Sequence, residues 1–207
     1  MTRRTGVFII ALVVLAASLV LTGSLYRERR VEARRKSAYT PTATIKDLMD
    51  AIIDPSADVV WNAVSTTVAP GGADERVPHS DEEWKDVRRG ALRLVEAANL
   101  LMIPGRHVAR PHEKSETPGV ELEPAEMEAL VNKDRNLWER KVQAFHHATL
   151  DALQAIESKD TVKLFEVGGT LDASCESCHR QYWYPNERIP EFPHDLKSTQ
   201  AFGGLHP

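Results

Sequence analysis

The chain has 207 residues, 42% of them hydrophobic and 27% charged, enough for one domain with a core plus appendages. Residues 1–36 hold eight of the 26 Lys/Arg but only two of the 30 Asp/Glu, which leaves 18 basic and 28 acidic residues, a net −10, from Ser37 onward. That balance argues against nucleic acid and suits either a basic protein partner or simply a soluble acidic surface.

Arg3 and Arg4 precede an uncharged apolar run, Val7 to Leu25, which is followed by Arg27, Arg29, Arg30, Arg34, Arg35 and Lys36. At about 1.5 Å per residue the run spans roughly 28 Å, close to the hydrocarbon thickness of a bilayer. A cleaved signal peptide shares the charged start and apolar middle, and Thr22-Gly23-Ser24 offers small residues, but no clean Ala-x-Ala follows the run. Residues 1–36 are therefore expected to be a transmembrane anchor with a charged juxtamembrane stretch, a cleaved signal helix being the alternative. Charge bias alone would put the arginine-rich flank in the cytoplasm. The chemistry of the C-terminal motif requires that flank to be exported, and it sets the orientation expected here.

Thr42 to Asp54 carries Ile45, Leu48, Met49, Ile52 and Ile53 at helical spacing. Asp54-Pro55 then reads as an N-cap with proline in the first turn, so one kinked helix is expected to continue to about Val64. Pro70-Gly71-Gly72 breaks the chain, and Ser80 with Glu83 forms a capping box for a second helix that Pro104-Gly105 stops. Residues 104–123 are a long polar connection rich in Pro and Gly, the kind of loop that is often functional. Pro124 opens a third helix with a core face running from Met127 through Trp138 and Phe145 to Ile156, and Asp160 begins a fourth that Pro185 ends. No stretch alternates long enough to be a strand. The expectation is all-α, an antiparallel four-helix bundle over residues 37–185, with a loose tail at 186–207.

The two cysteines lie three residues apart, too close to staple distant segments, so their role is local. Cys175-Glu176-Ser177-Cys178-His179 matches C-x-x-C-H, the attachment pattern of c-type haem. On a helix, positions i, i+3 and i+4 share a face. Both thiols can then reach the two vinyl groups of one haem while the His179 imidazole approaches the iron from the same side. A thioredoxin-like redox pair needs a βαβ setting that this helical pattern lacks. Zinc needs four ligands, and no second Cys pair is present, although His146 and His147 could be recruited. A chance occurrence in a core helix is the remaining alternative. The export segment is a second feature pointing to haem, so one covalent haem c is expected, with Cys175 and Cys178 as thioethers and His179 as proximal iron ligand.

With this motif on the last of four helices, the chain resembles cytochrome c′ and its low-spin relatives over roughly residues 42–185. In that family a Tyr or Phe often follows the haem histidine by three residues, with a basic residue next. Tyr182 matches, whereas Trp183 stands at the basic position, leaving Arg180 as the nearby source of charge. Low-spin members take a methionine from the first helix as sixth ligand, and five-coordinate members place an apolar residue there. Met49 is the matching position, and a thioether ligand raises the potential of haem iron. Packing on the Ile45, Leu48, Ile52 stripe explains Met49 equally well. The resemblance also implies a homodimer through the first two helices.

Other residues have two readings each. Arg106 and Arg110 are either propionate partners, since guanidinium matches carboxylates bidentately, or solvated surface arginines. Met102 reads as packing, and His107, His146 and His147 as surface or core. Gly168 and Gly169 allow close approach of haem or of another helix. Of the four tryptophans, Trp183 is near enough in sequence to touch haem. No nucleophile–base constellation is present, so no enzyme is expected. The reading is a single-electron carrier, periplasmic and anchored to the inner membrane (or secreted after cleavage), exchanging electrons with a redox protein. A diatomic-gas-binding or sensing module with an open distal site is the alternative, and a redox subunit docked through loop 104–123 is a third.

Overall fold

The computed structural model describes residues 15, 17–28, 39–69 and 72–187. Residues 17–28 are helical. Residues 7–14 and 16 of the expected anchor, the charged stretch from Arg29 to Lys36 and the tail beyond Glu187 lie outside the described residues. Among the described residues, no helix is long and apolar enough to cross a membrane.

Helix α1 (Ile45–Leu48) starts at Thr44, whose hydroxyl accepts from Asp47 N–H while the Asp47 carboxylate accepts from Thr44 N–H. It runs into a single π-helical turn, Met49–Ile53, and then α2 (Asp54–Trp61). Asp54 does not cap a restarted helix. Its own backbone is helical, and its N–H bonds to the Met49 carbonyl five residues back. Pro55 explains the wide turn: it has no N–H to donate, and its ring crowds the carbonyl one turn earlier, which a turn with one extra residue relieves.

A hairpin follows, and it corrects the expectation of no strands. β1 (Ser65–Ala69) pairs antiparallel with β2 (Gly72–Arg76), with Ser65 opposite Arg76 and Ala69 opposite Gly72. Ser65-Thr66-Thr67-Val68 is rich in β-branched residues, but too short and too polar to show an alternation.

Helix α3 (Asp81–Leu101) carries the expected capping box, Ser80 with Glu83. The expected third helix is two: α4 (Pro124–Lys133) and α5 (Arg135–Glu157). Asp134 leaves helical geometry (φ −135°, ψ 78°), and its carboxylate accepts from Leu137 N–H at 2.9 Å. A short acidic side chain competes well for such orphan amides, so it caps a new helix instead of continuing the old one. Helix α6 (Thr161–Tyr182) begins at Asp160, which accepts from Lys163 N–H at 2.8 Å.

The fold is mostly helical. α5 packs against both α3 and α6, and α2 against α3. Leu94, Ala91, Thr149, Ala152, Leu164 and Leu171 are almost fully buried between them. Gly90 makes the α2–α3 approach workable, because a Cβ there would stand 3.0 Å from Val59 Cγ1 and 3.2 Å from the Ser56 carbonyl.

Candidate functional site

At the C-terminal end of α6 the helices part around a cavity of about 250 Å³. Cys178, His179, Tyr182 and Trp183 form its α6 wall; Ile45, Met49, Asp50 and Asp54 come from the first helical segment, and Met127, Val131 and Trp138 from α4 and α5. Loop 104–123 closes another side with Val108, Ala109, Lys114, Ser115, Glu116 and Glu121. The loop is fastened at both ends. The carbonyls of His107 and Val108 accept from the free N–H groups of Ile45 and Lys46, and Leu122 N–H donates to the Trp183 carbonyl at 2.8 Å.

Cys175 and Cys178 are half-buried free thiols. Cys175 packs against the core one turn before the cavity; Cys178 reaches the cavity wall. Burial pushes the Cys175 thiol up to about 11 and the Cys178 thiol up to about 12. That is opposite to the depressed value a reactive redox pair needs. Nor is there, among the described residues, a group of three or more His, Cys, Asp or Glu able to hold a bare metal ion. His146 and His147 are not among the cavity residues.

Burial also pushes His179 down, partly countered by Glu176 and Asp54, so the ring is a neutral imidazole near pH 7 and free to coordinate. It packs edge-on against Trp183, with ring centroids 5.2 Å apart. The turn between the cysteines is held from two sides. Lys141 of α5 donates to the Ser177 carbonyl at 2.8 Å and to its hydroxyl at 2.7 Å, and Glu176 accepts from Tyr184 Oη at 2.7 Å and from Arg180 at 3.2 Å. Asp54 is the acidic neighbour of His179. Its carboxyl is held above the usual range mainly by burial, with Asp50 and Asp58 adding repulsion.

Met49 lies on the cavity wall, at the start of the π-turn. Arg106 and Arg110 do not line the cavity. The Arg106 guanidinium donates to the Leu100 and Ala43 carbonyls, and Arg110 grips both oxygens of Asp47, at 2.6 and 3.3 Å. Arg180 pairs with Glu176. Met102 ends α3, and His107 sits against Glu128 at 2.9 Å. Gly168 serves helix packing, accepting from Trp61 Nε1 at 3.2 Å, and a Cβ on Gly169 would meet nothing within 4 Å. Sequence reasoning missed Lys46, Asp50, Asp54, Lys114 and Met127 as cavity residues. The long loop was flagged as a whole, but nothing in its composition singled out Lys114, and Met127 read as one more residue on a helical core face.

These residues fit a haem. The wall is mainly apolar, Cys178 and His179 line it with Cys175 one turn earlier on the same helix, and one buried hydroxyl, Tyr182 Oη, has no partner among the described residues. No protein-family model matches the chain and no curated protein matches it. Among solved structures, one titled cytochrome c′ is similar, at 18% identity and a TM-score of 0.41, covering 68% of this chain and 98% of that one. Likeness at that level carries no weight on function, which rests on the side chains.

Proposed function

We propose that this chain is a c-type monohaem cytochrome, with Cys175 and Cys178 as thioether anchors and His179 as proximal iron ligand, acting as a single-electron carrier. The observation that carries this reading is the placing of Cys178 and His179 on the wall of an apolar cavity, with Cys175 one turn before them on the same helix. When bound, haem supplies a one-electron ferric–ferrous couple. The chain supplies the rest. Lys141 and the Glu176–Tyr184 bond fix the turn that carries the motif, Trp183 holds the imidazole plane, and Ile45, Val108, Val131 and Trp138 keep water away. Met49 is the candidate sixth ligand because its thioether shares the cavity with His179. The finer architecture in this reading is an antiparallel bundle of four helical segments, with the second half of the long third one carrying the core.

Haem attachment takes place outside the cytoplasm, so the carrier works in the periplasm behind an anchor or released signal in residues 1–36. The net −10 from Ser37 onward suits a basic redox partner. The experiment is expression of the full chain with the haem-attachment machinery, followed by intact mass and absorption spectra of the oxidised, reduced and carbon-monoxide-treated protein. One added macrocycle and a low-spin reduced spectrum unchanged by carbon monoxide are expected, and Met49→Ala should convert it to a form that binds the gas. Gas binding by the unmutated protein assigns it instead to the sensing or gas-binding class. A colourless product of unmodified mass removes the haem reading altogether.

A further inference from the structure

We infer that Tyr182 is the cavity's built-in hydrogen-bond donor and that its acceptor is a propionate carboxylate of the haem; this rests on the haem reading above. Tyr182 is 5% exposed, and among the described residues its Oη is the one buried side-chain nitrogen or oxygen without a partner. The same side chain lines the cavity beside Cys178 and His179. Its ring is held: Trp138 packs edge-on against it at 5.4 Å, and Trp138 is itself pinned by a bond from Nε1 to the Leu101 carbonyl at 3.2 Å. The hydroxyl therefore cannot swing to solvent for a partner. A dry, unpaired hydroxyl is costly, and such groups in folded proteins normally have an acceptor.

None of the cavity's own carboxylates, Asp50, Asp54, Glu116 and Glu121, is bonded to it, nor is Asp134, the acidic group outside the cavity whose charge acts on this hydroxyl. Glu121 accepts from Ser115 and from the Glu116 and Thr117 amides, and Glu116 pairs with Lys46. The missing acceptor belongs to the occupant. A haem attached through both vinyls has a periphery of hydrocarbon apart from its two propionates, so these are the only oxygens it offers. A ligand bound to the iron opposite His179 lies across the macrocycle from α6, whereas Tyr182 stands one turn past His179 on α6 itself. A phenol donating to a carboxylate is a short, charge-assisted bond, stronger than the same bond to a neutral group.

The test uses full-length, haem-bearing protein. In Tyr182→Phe, the haem content stays at one per chain, the propionate-bending line in the resonance Raman spectrum moves, and the midpoint potential shifts to more negative values because the carboxylate keeps more of its charge. In the unmutated ferrous protein, a tyrosine hydroxyl proton protected from exchange shows a nuclear Overhauser contact to a propionate methylene. That second measurement decides the matter if the variant fails to fold. An unmoved Raman line and potential in a red, folded variant, or no such contact in the unmutated protein, overturns the inference and leaves the haem reading standing. Unmutated protein without haem overturns the reading, and the inference with it.

Discussion

The two ends of α6 are built differently. Near Leu164 and Leu171, the helix lies against Ala148, Thr149, Ala152 and Ala155 of α5, with Ala91 and Leu94 of α3 completing a layer in which every one of these side chains is at most 2% exposed. Near Cys178 to Trp183 the same helix faces half-buried Met49 and Met127, two carboxylates of the first segment and a long loop, around a cavity of about 250 Å³. Small side chains let helices close and exclude voids, whereas large ones on separate short segments prop them apart. The close-packed end stabilises the fold, and that surplus lets the other end stay hollow and receptive.

The sharpest way to break this contrast is to delete equal volume at each end. Leu171→Ala should destabilise by about 2–5 kcal/mol in urea unfolding, since it leaves a cavity among fully buried neighbours. Met127→Ala, on a wall that is already open, should cost under about 1 kcal/mol. Equal costs would mean that the hollow end carries as much of the stability as the closed one. Overfilling is next. Gly90→Val should cost about 1–3 kcal/mol, because its Cβ would press on Val59 and the Ser56 carbonyl, and thermal unfolding reads the loss.

Smaller again is the cap at the α4–α5 break. Asp134→Ala should cost about 0.5–2 kcal/mol by the same measurement. A run-through helix that gained stability would show that the break is not needed. The smallest effect is a pH slope. In the full-length chain made without attachment machinery, both thiols stay protonated in the fold but ionise when unfolded, at a pKa of about 8.5. The unfolded state then binds fewer protons, so stability falls as pH rises from about 8 and keeps falling towards the folded-state values. Thioether-bound sulfurs cannot ionise, and in haem-bearing protein that slope should be absent.

The helical class and the starts at Ser80 and Asp160 could be read directly, because caps and a 3.6-residue period are local signals. The Cys175–Cys178–His179 face was equally plain, since its geometry is set within one turn. What escaped depended on distant partners or on competition. Asp134 looked like one more polar residue on a helix until its carboxylate took the Leu137 amide, and five residues of β1 are too few to display a period. Arg106 and Arg110 had the right chemistry for a carboxylate, but the Leu100 and Ala43 carbonyls and Asp47 occupy them, which no pattern along the chain discloses.

The wide turn at Met49–Ile53 amounts to one residue inserted into an otherwise continuous helix. In an α-helix each residue advances the azimuth by about 100°, so that insertion rotates Ile45 and Met49 relative to the buried Ala57 and Val60 that anchor α2. Removing one residue from 50–52 would restore regular phase and turn both side chains off the cavity wall. Which side chain of the first segment shares the cavity wall with His179 is thus selected by an offset in helix phase, and that offset is tied to a proline six residues further along the chain.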